Sequence, residues 1–200
     1  MDIVFSCDDG RKEMLRVAKL LEKYKFKGTF YIAPYEAGIT LSVKEMQELS
    51  KKHIIGGHTL THKRLTDCDL SKARVEIEMG KKELEEIIGK KIKTFATPRG
   101  WYNPDIICLI KSAGFKEHRT TKMGITDLEG YDRFHLPVSA HLYPRPEYKG
   151  NTYQAIIDKY EEAKKGGYFN LLMHTNELNR YNYWDMLEDV LDYIYLDQKK

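Results

Sequence analysis

A chain of 200 residues with 42% apolar residues is long enough to bury one full core, so we expect a single domain over residues 1–200. Its 33 basic and 30 acidic residues give a net charge of +3 and are dispersed along the chain, which argues against a nucleic-acid-binding stripe. No run of ~18 apolar residues is present, so we expect no membrane-spanning segment.

The amino-terminal sequence and the cysteine spacing indicate where in the cell the protein is expected. Met1 is followed at once by Asp2 and an apolar run, without the charged and apolar regions of a signal peptide. We therefore expect a cytoplasmic protein, or a secreted one if a leader has been removed. Cys7, Cys68 and Cys108 have no paired spacing, and we expect them to be reduced thiols.

Strand-like and helical segments alternate along the whole chain. The predicted strands are residues 3–7, 29–32, 54–57, 93–96, 115–119, 133–136 and 169–173. The predicted helices begin near Met14, at a capping box opened by Ser42, at Ser71, at Pro104, at Thr152 and at Tyr183. Residues 124–150 have little helical pattern and are predicted to form a long loop near the functional site.

This alternation predicts a parallel α/β fold. The sequence contains no glycine-rich phosphate-binding loop, which argues against a nucleotide-binding doubly wound sheet. Asp8, His58, Pro98 and His174 each follow a predicted strand, and in a barrel the catalytic groups lie at the carboxyl ends of several strands. We therefore favour a barrel over an open sheet.

One carboxylate and two imidazoles form a three-ligand set for a divalent metal. Asp8 and Asp9 end the first strand, and His58 and His62 follow the third. Catalytic zinc typically takes three N or O ligands and keeps a fourth position for water, whose pKa falls to ~7. Histidines four apart lie on one face of a helical turn, so we expect both rings to reach one ion. The second carboxylate is then free to act as a base.

These motifs resemble the polysaccharide deacetylase family, also called the NodB-homology or carbohydrate esterase family four enzymes. The resemblance runs from about residue 4 to residue 174 and implies a distorted barrel of seven β/α units with a divalent metal. That metal is usually Zn²⁺, with Co²⁺ or Ni²⁺ as alternatives. By this resemblance Asp8 is the general base, and Asp9, His58 and His62 are the metal ligands.

Two further motifs of the family have counterparts here. Residues 95–100, Phe-Ala-Thr-Pro-Arg-Gly, resemble the third motif, which implies that the backbone N–H of Arg99 helps to hold the oxyanion. Residues 171–174, Leu-Leu-Met-His, resemble the last motif, which implies that His174 is the general acid that protonates the leaving amine. The predicted function is metal-dependent hydrolysis of an amide bond, most specifically N-deacetylation of an acetylated amino sugar or oligosaccharide.

The sequence also departs from the family pattern. The arginine that orients the base in typical members is replaced by Ala96, and no Asp-x-x-Asp-Trp fourth motif is found. We expect Arg119 to replace that arginine, and Asp132 or His141 to replace the carboxylate that tunes the acid histidine.

Three alternatives therefore stay open. A divergent branch of the superfamily acts on small amides or cyclic ureides. Two histidines and one carboxylate also describe non-haem iron oxygenases. Finally, the departures from the third and fourth motifs suit a carbohydrate-binding derivative of the fold that has lost catalysis.

Overall fold

The computed structural model describes residues 1–36 and 41–200. The strands are β1 (Asp2–Asp9), β2 (Gly28–Ile32), β3 (Ile54–Gly57), β4 (Thr94–Ala96), β5 (Glu117–Arg119), β6 (Ala140–His141) and β7 (Tyr168–His174). The helices are α1 (Met14–Lys23), α2 (Val43–Lys52), α3 (Leu70–Ile88), α4 (Pro104–Ser112), α5 (Thr152–Gly166), α6 (Thr175–Tyr181) and α7 (Trp184–Asp197).

The strands form one seven-stranded sheet in the order β5-β4-β3-β2-β1-β7-β6, and each pairing is parallel. The sheet curls into a half-barrel with the helices outside, which confirms the predicted barrel-like α/β fold. Because the strands are parallel, their carboxyl ends meet at one edge. The residues that end or follow the strands are therefore brought together there.

Side chains of the central strand β1 alternate between two environments. Phe5 and Cys7 belong to the apolar core beneath the helices. Ser6 points the other way, and its hydroxyl donates to Oδ1 of Asn170 over 2.6 Å. Asp8 follows at the next position on that same polar side, because successive side chains of a strand point to opposite faces. The curled sheet thus has an apolar outer face and a polar inner face.

The local signals at most helix ends are confirmed. Ser42 accepts from the N–H of Glu45, whose side chain accepts from the N–H of Ser42, which is the predicted capping box. α3 ends before Gly89, which has φ 66°, and Pro104 begins α4. None of the helices in residues 1–36 and 41–200 combines the length and the apolar composition that a membrane crossing needs.

The sixth strand lies later than predicted. Residues 133–136 form only an isolated bridge to β5, between Leu136 and Arg119, whereas β6 is residues 140–141. Pro137 has no N–H to donate, and just beyond it the chain changes partner: the N–H of Ser139 donates to the carbonyl of Asn170 in β7. The predicted strand at 133–136 was therefore wrong.

Helix α6 was not predicted. It has seven residues, Thr-Asn-Glu-Leu-Asn-Arg-Tyr, of which Leu178 is the fully buried apolar one. One apolar contact in two turns gives no helical periodicity for sequence analysis to find. The helix nevertheless matters, because it begins directly after His174.

Candidate active site

Asp9, His58 and His62 converge at the carboxyl ends of β1 and β3. One ligand atom of each lies within 4.8 Å of the others. Oδ1 of Asp9 is 3.3 Å from Nε2 of His62 and 3.7 Å from Nε2 of His58. Metal–ligand bonds of ~2.0–2.2 Å place neighbouring ligand atoms of a tetrahedral site at about these separations. The three residues therefore fit a divalent metal ion.

The imidazole rings are held so that both present Nε2 to Asp9. Nδ1 of His58 lies 2.8 Å from the carbonyl of Ala96, and Nδ1 of His62 lies 3.4 Å from Oε1 of Glu36. Metal-binding histidines generally donate their other ring N–H to a carbonyl or carboxylate, and the bond to Ala96 fixes the ring of His58 and its tautomer in this way. The carboxylate of Glu36 faces the ring of His62 as an ion-pair partner. Glu36 escaped sequence analysis because it belongs to no motif.

The backbone between the two histidines is not a helical turn, so the predicted reason for their convergence was wrong. Residues 58–64 form an irregular loop in which Thr59 has φ 68° and His62 has φ 59°. Both values are left-handed, and they fold the loop back on itself. The hydroxyl of Thr59 accepts from the N–H of Lys63 over 3.1 Å and stabilises this course.

A buried carboxylate on α3 binds the loop that carries the two histidines. Oε2 of Glu76 accepts from the N–H of Leu60 over 3.1 Å and from the N–H of Thr61 over 2.9 Å. The hydroxyl of Thr61 donates to Oε1 of Glu76 over 2.7 Å. Glu76 is only 7% exposed, and these bonds satisfy its carboxylate.

The same helix face approaches the loop backbone very closely. A Cβ on Gly80, one turn after Glu76, would lie 2.7 Å from the carbonyl carbon of Thr59 and 2.8 Å from the nitrogen of Leu60. Such contacts would be with backbone, which cannot move aside. The sequence indicates that this face of α3 contacts something other than an apolar core, because Glu76 and Gly80 interrupt its stripe of apolar residues.

Asp8 and Arg119 form a buried ion pair inside the barrel. Nη2 of Arg119 contacts both carboxylate oxygens of Asp8, and each residue is 2% exposed. Arg119 is the register partner of Ala96 across β4 and β5. The guanidinium therefore reaches Asp8 from the strand beside Ala96, and its carbon also lies 4.8 Å from the ring centre of Tyr31.

The two adjacent carboxylates point to different neighbours. Asp9 has φ 93°, which turns its side chain toward the histidine loop. Asp8 stays in the barrel, and its Oδ2 lies 3.8 Å from Nε2 of His174. Burial alone would raise the pKa of Asp8, but the charges of Arg119, His58 and His174 hold the pKa below its usual value.

His174 has a carboxylate partner on the helix that follows it. Nδ1 of His174 lies 3.2 Å from Oε2 of Glu177, off the line of a hydrogen bond. Burial lowers the pKa of His174, but the carboxylates of Glu177, Asp8 and Asp9 outweigh it and raise the pKa to about 9. Glu177 was missed because its role depends on α6.

Neither of the two residues predicted for this role forms a hydrogen bond or an ion pair with His174, so that prediction is corrected. Asp132 is exposed and contacts Nδ1 of His135 over 2.9 Å. His141 is buried, with Nδ1 2.7 Å from the hydroxyl of Tyr143, and burial lowers its pKa to about 3. A neutral imidazole cannot supply the negative charge that Glu177 supplies.

Arg99 lies on the rim of the site. It is an exposed residue with φ 60° in the 3₁₀ turn Pro98–Gly100, which directly follows β4. Burial alone would lower the pKa of His62, but the carboxylates of Asp9 and Glu36 outweigh this effect and raise the pKa above its usual value. The positive charge of Arg99 opposes this rise. Arg99 is therefore near enough to His62 for their charges to interact.

Residues 2–118 match the model of the family described as polysaccharide deacetylase. This chain belongs to the polysaccharide deacetylase family. Among its relatives is the peptidoglycan-N-acetylmuramic acid deacetylase PdaA of Bacillus subtilis (strain 168), 24% identical over 168 residues. That match covers 76% of this chain and 62% of PdaA, so the chain spans about three-fifths of that relative.

Solved structures share the fold. The deacetylase PplD of Streptococcus pyogenes superposes with a TM-score of 0.61 at 20% identity, over 67% of this chain and 63% of PplD. The Xyl-CE4 domain of a multidomain xylanase, from the hindgut metagenome of Trinervitermes trinervoides, superposes with a TM-score of 0.68 at 17% identity. This match covers 98% of this chain and 83% of the xylanase domain. Membership of this family removes the main support for the oxygenase alternative.

We predict that Glu76→Gln weakens metal binding by roughly 10-fold or more, the usual cost of losing a partner that orients metal ligands. A glutamine amide offers a single acceptor oxygen, so it cannot accept all three bonds from the loop. Isothermal titration of the metal-free protein with zinc measures the affinity. Glu78→Gln, an exposed change on the same helix, is the control. Equal affinities for both variants would contradict the assignment.

Proposed function

We propose that this protein is a metal-dependent hydrolase that removes acetyl groups from the nitrogen of an acetylated amino sugar in an oligosaccharide or polysaccharide. The observation that carries the proposal is the arrangement of Asp8 and His174, 3.8 Å apart, beside a three-ligand metal site. Membership of the polysaccharide deacetylase family and the activity in the name of PdaA support the substrate class.

The metal site belongs to Asp9, His58 and His62, and we propose Zn²⁺ as its native occupant. Two imidazoles and one carboxylate suit zinc, and they leave a coordination position open. When bound, the ion polarises the substrate carbonyl and makes water acidic enough to act as a nucleophile at neutral pH.

Asp8 is the proposed general base. Its carboxylate is ionised at neutral pH, because the charge of Arg119 opposes protonation. The guanidinium also holds both oxygens, so the carboxylate cannot rotate freely while it takes a proton from water. Arg119 thus acts as a positioning residue, through Asp8.

Arg99 and His174 are the proposed groups that stabilise the oxyanion and protonate the leaving amine, respectively. The backbone N–H of Arg99 lies in the turn after β4 and donates to the oxyanion of the tetrahedral intermediate. His174, whose pKa of about 9 keeps it protonated at neutral pH, gives its Nε2 proton to the departing nitrogen. An amine needs this proton because its anion is a very poor leaving group.

An exposed aromatic side chain beside the third motif supports a sugar substrate. Trp101 is 56% exposed, and the guanidinium carbon of Arg64 lies 4.1 Å from its ring centre. The stacked arginine holds the indole in place on one face. An aromatic ring offers the apolar surface against which the C–H face of a sugar ring can pack.

The proposal is tested by measuring acetate released from N-acetylglucosamine oligomers, peptidoglycan fragments and small cyclic amides, with zinc, cobalt or nickel added. We expect release from an acetylated amino sugar. Release from cyclic amides alone would favour the small-amide alternative. Binding of oligosaccharide without acetate release under any of the three metals would favour the non-catalytic alternative.

Asp8→Asn and Asp9→Asn should have different effects, although the residues are adjacent. We expect Asp8→Asn to retain stoichiometric zinc and lose at least ~100-fold in kcat, because Asp8 supplies the base but is not one of the proposed metal ligands. Asp9→Asn should lose both zinc and turnover, as should His62→Ala. Atomic absorption and acetate release measure the two quantities. Equal zinc loss in the two aspartate variants would show that their roles have been divided wrongly.

Arg119→Lys should reduce kcat far more than Arg99→Ala, with zinc content unchanged in both. A lysine keeps the positive charge, but its ammonium sits on a flexible stem and lacks the planar guanidinium that packs against Tyr31 while it holds Asp8. Arg99→Ala removes only an exposed side chain and keeps the backbone N–H. Arg119→Ala is the less informative variant, since an unpaired buried Asp8 costs ~3–5 kcal/mol of stability. Near-wild-type turnover of Arg119→Lys would refute the positioning role.

The pH profile should report the pair of His174 and Glu177. The acid must be protonated, so activity falls as the pH rises through the pKa of His174. Glu177→Gln removes a carboxylate that raises this pKa, and we expect the alkaline limb of kcat to move ~1–3 units to lower pH. Asp132→Asn is the control and should leave the limb in place. An unmoved limb in Glu177→Gln would contradict the pairing.

A further inference from the structure

A basic groove lies on the face of the molecule opposite the metal site. It is a cavity of about 410 Å³ whose charged lining is dominated by six lysines and one arginine: Lys27, Lys51, Lys90, Lys91, Lys93, Lys116 and Arg133. We refer to these residues as the basic groove. Glu117 is the acidic residue among those lining it.

The position of the basic groove follows from the sheet. Lys27, Lys93 and Lys116 immediately precede β2, β4 and β5, so they lie at the amino ends of parallel strands. The metal ligands and His174 lie at the carboxyl ends. The groove is therefore separated from the metal site by the length of a strand, ~15 Å for five residues. It takes no part in the proposed chemistry.

The chain concentrates its positive charge in this groove. The whole protein carries 33 basic and 30 acidic residues, a net charge of +3. The groove lining contributes seven basic residues and one acidic residue, a net charge of +6. The rest of the chain therefore has 26 basic and 29 acidic residues, a net charge of −3. The groove is a positive site on an otherwise slightly negative molecule.

Intramolecular ion pairs neutralise only part of this charge. Lys91 lies 2.6 Å from Glu85, Lys51 lies 2.6 Å from Glu48, and Arg133 lies 3.7 Å from Glu117. Within residues 1–36 and 41–200, Lys27, Lys93 and Lys116 form no ion pair, and all three are exposed. Like charges held together without counter-ions repel each other, and a bound polyanion would relieve that repulsion.

We propose that the basic groove binds a segment of an anionic polysaccharide, whose carboxylate or phosphate groups contact Lys27, Lys93 and Lys116. The groove is concave, which suits a linear polymer better than a flat membrane surface. Among the described residues its lining has no Phe, Tyr or Trp, and the ring of His53 is buried, whereas single-stranded nucleic acid is typically bound by stacking bases on exposed aromatic rings. Ile54, which is 44% exposed, supplies apolar surface between the charges.

The choice of a glycan among polyanions rests on the proposed function. A second attachment point on an anionic polymer raises the effective concentration of the catalytic face near acetylated residues of the same material. The charge and shape of the groove do not depend on catalysis, so the binding can be tested on its own.

The experiment measures binding of polygalacturonate, an anionic polysaccharide without N-acetyl groups, to the zinc-loaded protein by isothermal titration at several salt concentrations. We expect binding that weakens as salt rises. The double variant Lys93→Gln/Lys116→Gln should bind about tenfold more weakly and show a shallower salt dependence. Lys19→Gln/Lys165→Gln, which removes the same charge from exposed positions on α1 and α5, is the matched control and should bind normally.

The comparison ligands make the outcome decisive. Neutral dextran should not bind, and a thymidine oligonucleotide and anionic phospholipid vesicles should bind more weakly than polygalacturonate. Absence of polygalacturonate binding, equal loss in both double variants, or preference for the oligonucleotide or vesicles would overturn the proposal. Because polygalacturonate cannot be deacetylated, its binding would stand even if acetate release failed, and acetate release would stand if the groove did not bind.

Discussion

The site depends on the buried ion pair between Asp8 and Arg119. Both side chains are out of contact with solvent, and transferring such charges from water costs several kcal/mol each. The cost is offset only if each charge keeps its partner in good geometry, so removal of either side chain leaves the other charge buried and unpaired. The polar inner face of the sheet, with Ser6 and Asn170 hydrogen-bonded nearby along β1 and β7, is the environment that accommodates this pair.

Strand register then determines which groups surround the pair. Asp8 is the register partner of His174 on β7 and of Tyr31 on β2. A parallel register fixes the proposed acid beside the proposed base without any loop having to bring them together. The proposed metal ligands are different, since His62 lies on a loop whose backbone is held by hydrogen bonds to Glu76. Strands thus carry the two proposed proton-transfer groups, and a loop hydrogen-bonded to Glu76 completes the proposed metal site.

Sequence analysis predicted the parts of this site that follow strand ends and could not predict the parts that depend on tertiary contacts. Asp9 and His58 were found because each lies just beyond the end of a predicted strand. The left-handed conformation of His62 and the bonds of Glu76 depend on the packing of α3 against the loop. Glu177 depends on α6, a helix too short and too polar to show a period. The sixth strand was misplaced because the chain changes its partner from β5 to β7 beyond Pro137, and that change depends on tertiary contacts.

The replacement of the third-motif arginine by Ala96 does not by itself indicate that catalytic activity is lost. A guanidinium acts on a carboxylate through its position in space, and two adjacent parallel strands offer equivalent starting points for reaching the same atoms. Here Arg119 reaches Asp8 from the register position beside Ala96, although it is 111 residues away from Asp8 in sequence. The missing arginine therefore gives no support to loss of catalysis. Such a conclusion would require that no cation contacts Asp8, and the barrel places one there.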